Sequence, residues 1–155
     1  MSRFAIPRAA VAALVLAAPL LVSAADPVPK AIGARIEAYR ELGASFKNVN
    51  DELRKPEPSA YLIQLAARQI SQTAKAQYGL FPAGSGPGAG VKTWAKPEIW
   101  AQPARFRAAQ DGFATQAAAF AKVAAGGDPA SLRVGAKVLG QACGGCHKVY
   151  RTDKK

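Results

Sequence analysis

Cys143-Gly144-Gly145-Cys146-His147 gathers the two cysteines and the single histidine of this 155-residue sequence into five consecutive positions near its C-terminal end. Cys-x-x-Cys-His is the spacing of covalent c-type haem attachment. On a helix, positions three apart share one face. Two thiols so placed reach the two vinyl groups of one porphyrin, and the adjacent imidazole comes under the iron as an axial ligand. The motif therefore asks for a helix that looks into a cofactor pocket. Other uses of these side chains fit less well. A structural zinc site takes four nitrogen or sulfur ligands, and the sequence holds only three conventional ones. A thioredoxin-like dithiol needs βαβ surroundings, of which there is no sign. A disulfide across two residues is strained and gives His147 no task.

Residues 1–25 read as a secretory signal. Arg3 and Arg8 make a basic start, Ala9 to Val22 is an apolar run, and Ser23-Ala24-Ala25 offers small residues for cleavage before Asp26. The run is short for a membrane span and is broken by Pro19; a retained anchor is the alternative. Export agrees with the motif, because c-type haem is attached outside the cytoplasm. The expectation is one domain over residues 26–155, acting in the periplasm. Losing the signal lowers Lys+Arg from 21 to 19 against 10 Asp+Glu, a net charge of about +9 before two haem propionates are counted. Such a surface favours acidic partners or anionic surfaces. There is no nucleic-acid-binding motif, so no nucleic-acid partner is expected, and the charge reads as docking or solubility.

Beyond the signal no two-residue alternation appears, and four stretches carry helical spacing. The first runs from about Pro29 to Lys55, with Ile32, Ile36, Tyr39, Leu42, Phe46, Val49 and Leu53 as its stripe, and Pro56 and Pro58 stop it. Ser59 is a candidate N-cap for the second, which carries Leu62, Leu65, Ala66, Ile70 and Ala74 to about Tyr78. A Gly/Pro-rich connection over residues 79–97 is too long for a turn and should pack as an ordered loop. The third helix spans about Gln102 to Ala125 with Pro103 in its first turn and Phe106, Ala109, Phe113, Ala117, Phe120 and Val123 inward. Gly126-Gly127 ends it. Asp128 caps the fourth, with Pro129 at its first position and Leu132, Ala136, Leu139, Cys143, His147 and Tyr150 on one face. The fold expected is all-α: an antiparallel four-helix bundle with haem c on its C-terminal helix.

The ligand inventory then limits the iron. With His147 as the one protein ligand, the sixth position would need a methionine or a second histidine. Neither is present: the only methionine is Met1, lost with the signal. Lysine or tyrosinate must first lose a proton held well above neutral pH. The iron is expected to be five-coordinate and high-spin.

A C-terminal Cys143-Gly-Gly-Cys146-His147-Lys-Val-Tyr150-Arg151 on the last helix of a signal-bearing bundle resembles the cytochrome c-prime family of class II c-type cytochromes. Lys96-Pro97-Glu98-Ile99-Trp100 resembles the segment before that family's third helix, Phe81-Pro82-Ala83-Gly84-Ser85 its loop, and Arg35-Ile36-Glu37-Ala38-Tyr39 its first helix. The resemblance implies a periplasmic protein that is homodimeric through the first two helices and binds nitric oxide. The related low-spin branch, cytochrome c-556, has a methionine on the first helix; Tyr39 stands here instead. Carried over by position, Arg35 is expected near a haem propionate, or else as a solvated surface arginine. Tyr39 is expected over the distal face, either as wall or as a hydroxyl contacting a bound diatomic. Arg151 should reach the proximal side, or else be a surface charge. Trp100, Phe106 and Phe113 read as core residues that touch porphyrin, and Ile36 and Lys96 as further haem contacts.

Two functions follow for one covalent haem c per chain: electron transfer with redox partner proteins, and binding of nitric oxide or carbon monoxide. The alternative to their combination is a dedicated nitric-oxide-sequestering protein. An enzyme is not expected, since a peroxidase would want a distal acid-base histidine.

Overall fold

The computed structural model describes residues 27–152. The expected signal, residues 1–25, lies outside them. Four long helices and one short one make up the described chain: α1 (Pro27–Leu53), α2 (Ala60–Ala76), α3 (Glu98–Ala101), α4 (Pro103–Gly126) and α5 (Pro129–Tyr150). Local chemistry sets the ends. Ser59 caps α2 by accepting from the Leu62 N–H, and Asp128 caps α5 by accepting from the Ser131 N–H. Pro103 and Pro129 occupy first turns, where no N–H is required. Gly127 closes α4 in the left-handed region at φ 72°, which costs a glycine little.

The bundle is a ring in which α1 packs on α2, α2 on α4 and α4 on α5. The α5–α1 side is the loosest, and the pocket opens there. One core runs along the bundle as far as Cys143, with Ile63, Ile70, Phe120, Leu132 and Leu139 almost wholly buried. A second core joins Ile99, Phe106 and Tyr150 near α3.

Ala66, Ile70 and Ala74 of the expected α2 stripe are buried, but its two leucines are not. Ile63 and Ala67 are fully buried, whereas Leu62 and Leu65 are 45% and 43% exposed. Spacing alone cannot choose between adjacent apolar registers; contact with α1 and α4 selects Ile63, Ala66, Ile70 and Ala74. The short α3 is also new. The last turn expected of α2 is a tight 3₁₀ turn, Gln77–Gly79.

Candidate haem site

Cys143 and Cys146 lie on the last turns of α5, both partly buried and unpaired with each other, and both line a cavity of about 550 Å³. Such a volume is within the roughly 300–1,000 Å³ of cofactor sites. Its far wall is α1, with Ile36, Tyr39, Leu42 and Phe46, and its floor is Ile70, Phe113 and Leu139. Phe81, Phe106 and Tyr150 form an aromatic side wall with ring centroids 4.7 Å and 5.0 Å apart, edge to face. A flat apolar macrocycle is the kind of body such walls accommodate.

Arg35 is the buried charge of this cavity. It is only 4% exposed, and no carboxylate pairs with it among the described residues. Its Nη1 donates to the Leu80 carbonyl (3.2 Å) and Ser85 Oγ (3.0 Å), its Nη2 to the Ser85 carbonyl (2.8 Å) and Thr93 Oγ1 (3.0 Å). The guanidinium also lies 4.9 Å from the Phe81 ring centre. Its terminal N–H groups thus fasten the 79–97 loop to α1, while its charge stays uncompensated. Burial lowers its pKa, against which Tyr39 works weakly. A buried cation costs free energy unless an anion answers it. A cofactor with an anionic edge supplies that anion, so the residues present fit a haem.

The other groups agree. Burial pushes both thiols up, so neither is the exposed, low-pKa thiolate of a dithiol redox centre. His147 is exposed at the cavity rim, yet partial desolvation, and secondarily Arg151, lowers its pKa and so favours the neutral imidazole a metal needs. Burial raises the Tyr39 phenol far above its ordinary range. Its hydroxyl donates to Gln77 Oε1 at 3.4 Å. Among the described residues no three His, Cys, Asp or Glu side chains cluster as a metal site.

Of the residues singled out in the sequence, Arg35, Ile36, Tyr39, Phe106, Cys143, Cys146, His147 and Arg151 line this one cavity. Lys96 and Trp100 do not. Trp100 stands behind Phe81 (centroids 6.2 Å apart), its Nε1 donating to the Pro82 carbonyl at 3.0 Å. Lys96 belongs to an adjoining basin on the surface, lined also by Lys92, Lys148 and Arg151, which His147 borders as well. Backbone bonds from Lys96 N–H to the Tyr150 carbonyl and from Thr152 N–H to the Trp94 carbonyl staple this segment to the end of α5. Phe81, Gln77 and Tyr150 are cavity residues not put forward as cofactor contacts from the sequence. A glutamine in the apolar register just before a tight turn was the available signal for Gln77.

A helical bundle whose last helix turns a Cys-x-x-Cys-His face into an apolar cavity defines a haem c protein of the four-helix type. The Cytochrome C' family model matches residues 30–151, and the chain belongs to that family, whose members bind haem c. It is 44% identical over 72 residues to a cytochrome c-554 of Cereibacter sphaeroides, a stretch covering 46% of each chain. The match thus spans about half the length of that relative. Among solved structures, the cytochrome c' of Thermochromatium tepidum superposes with a TM-score of 0.75 at 26% identity, covering 81% of this chain and 97% of that one. A cytochrome c' described as having ligand-controlled dimer dissociation gives a TM-score of 0.77 at 26% identity, covering 84% and 100%. A nitric oxide complex of a variant cytochrome c' from Alcaligenes xylosoxidans gives 0.72 at 23% identity, covering 81% and 97%, a likeness of fold.

Proposed function

We propose that this is an exported haem c protein, processed after residue 25 and working in the periplasm as a single domain over residues 26–155, with an open iron coordination position that takes nitric oxide. Cys143 and Cys146 hold the porphyrin through thioether bonds, and His147 is the iron's axial ligand. Arg35 answers the propionate edge, and Ile36, Tyr39, Phe106 and Arg151 contact the group from the walls. One observation carries the open position. Apart from His147, the cavity lining contains no histidine or methionine, and Tyr39, across from α5, is held as a neutral phenol by burial. A neutral phenol is a poor iron ligand. The iron is therefore five-coordinate, and its free side is hemmed by Tyr39 and apolar side chains that admit a diatomic and slow carbon monoxide.

Electron transfer accompanies this reading because the basin around His147 presents Lys92, Lys96, Lys148 and Arg151 with no acidic residue in its lining. A redox partner with an acidic face fits it. A dedicated nitric-oxide-sequestering role without electron transfer is the second reading, favoured by the open position alone. Substrate turnover is not proposed, since the cavity offers no second histidine for acid-base work. The chain pairs with a second copy through α1 and α2, where Tyr61, Leu62 and Leu65 expose apolar surface.

Resonance Raman spectra of the ferrous protein with and without nitric oxide test this. The expected result is a five-coordinate high-spin signature that changes on adding the gas. A six-coordinate low-spin spectrum indifferent to nitric oxide would leave electron transfer as the function.

A further inference from the structure

Gln77 ends α2 facing the cavity, and it is 3% exposed. Its side chain has one possible orientation. Nε2 donates to two carbonyls, those of Ala74 (2.9 Å) and Gln110 (3.1 Å), and carbonyls can only accept. The NH₂ group must therefore face them, and Oε1 must face the other way, toward Tyr39. Gln110 returns the contact, its Nε2 donating to the Gln77 carbonyl at 3.3 Å, and it is itself 5% exposed. The amide is thus pinned between α2 and α4. Because Oε1 carries no hydrogen, the 3.4 Å contact with Tyr39 has the phenol as donor. A hydroxyl has one proton to give.

We infer that Gln77 is a positioning residue that sets the polarity of the ligand side: by claiming the Tyr39 proton, it turns the only phenol in the cavity wall facing α5 from a hydrogen-bond donor into an acceptor. A small ligand beside Tyr39 then meets an oxygen lone pair and hydrocarbon. Ligands that gather negative charge gain nothing from the hydroxyl, whereas a neutral diatomic loses nothing. The inference rests on the proposed ligand position next to Tyr39. It adds a residue, acting through Tyr39, that decides which ligands are favoured there.

The test uses the haem-loaded protein, with two probes: the infrared C–O stretch of the ferrous carbon monoxide complex, and fluoride affinity of the ferric protein. Gln77→Leu releases the hydroxyl. The stretch should move to lower frequency, and fluoride should bind about tenfold tighter, as a newly made hydrogen bond to a charged acceptor allows. Adding Tyr39→Phe to Gln77→Leu should return both readouts to their wild-type values, which a merely structural role for Gln77 would not do. A shift that survives in the double variant, or none in Gln77→Leu, overturns the inference. Should Gln77→Leu fail to fold, the wild-type protein decides: its C–O stretch should be the same in H₂O and D₂O, and an isotope shift would show that the hydroxyl already serves the ligand. Absence of any carbon monoxide complex in the wild type would remove the ligand position itself, and the inference with it.

Discussion

Arg35 and Ser85, fifty positions apart in the chain, are joined twice, Nη1 to Oγ at 3.0 Å and Nη2 to the carbonyl at 2.8 Å. Ser85 is wholly buried. This clasp explains how a segment rich in glycine and proline becomes a wall of the cavity: α1 supplies the donors that the loop's buried acceptors need. The same segment carries Phe81, so the clasp also aims an aromatic ring at the cofactor space.

Replacing Arg35 with leucine should remove this wall. The Leu80 carbonyl and the Ser85 carbonyl and hydroxyl would lose a donor, at about 1–3 kcal/mol for each group left dry, while Thr93 Oγ1 keeps the Ala95 N–H. Urea unfolding should show a total loss of about 3 kcal/mol, with an unchanged m-value. A loss below about 0.5 kcal/mol would mean that water replaces the guanidinium and that the loop is held elsewhere.

Tyr39 predicts a response to alkali. Burial raises its pKa in the folded protein, while the unfolded phenol titrates near ~10. The folded state keeps the proton that the unfolded state releases, so stability is full below that value and falls as pH rises above it. Wild type should lose ground against Tyr39→Phe by up to about 1.4 kcal/mol per pH unit above pH ~10, and not below it. Parallel stability curves for the two proteins from pH 8 to 11 would contradict the buried phenol.

Two helical glycines should respond in opposite directions to alanine. At Gly112 nothing lies within 4 Å of the added methyl group. Gly112→Ala should therefore stabilise α4 by about 0.5–1 kcal/mol through backbone entropy. At Gly135 the methyl carbon would stand 3.0 Å from Cδ2 of Phe120, a ring only 1% exposed. Gly135→Ala should destabilise by about 1–3 kcal/mol, the overpacking cost exceeding the helix gain. Thermal unfolding of both variants checks the pair, and a rise in melting temperature for Gly135→Ala would show that the α4–α5 contact can widen.

The outward apolar residues of α2 make the proposed dimer testable. Leu62→Glu with Leu65→Glu should leave a folded monomer in sedimentation experiments, because charges at these half-exposed sites cost the core little. A dimer that persists unchanged would place the interface elsewhere.

Legibility was uneven. The motif, the four helices and their caps follow from local rules: a serine or aspartate before an apolar period, proline in a first turn, a glycine pair at an end. The cysteines proposed to hold the haem are legible for the same reason, since that chemistry is a spacing along one strip of helix. Arg35 and Tyr39 came from family resemblance, and only their distances to Ser85, Thr93 and Gln77 show what their polar atoms do. Trp100 could be named as an aromatic near the site, yet its place behind Phe81 depends on how the loop folds over α1. The inner face of α2 was only partly legible, with Leu62 and Leu65 expected inward where Ile63 is buried, because Leu62, Ile63 and Leu65 are equally apolar and burial is assigned by the neighbouring helices. Composition alone left one histidine and one methionine, Met1 within the expected signal, as conventional iron ligands. Packing decided which way the Tyr39 phenol gives its proton, because a hydrogen bond needs both partners and the second one, Gln77, is held in place by α4.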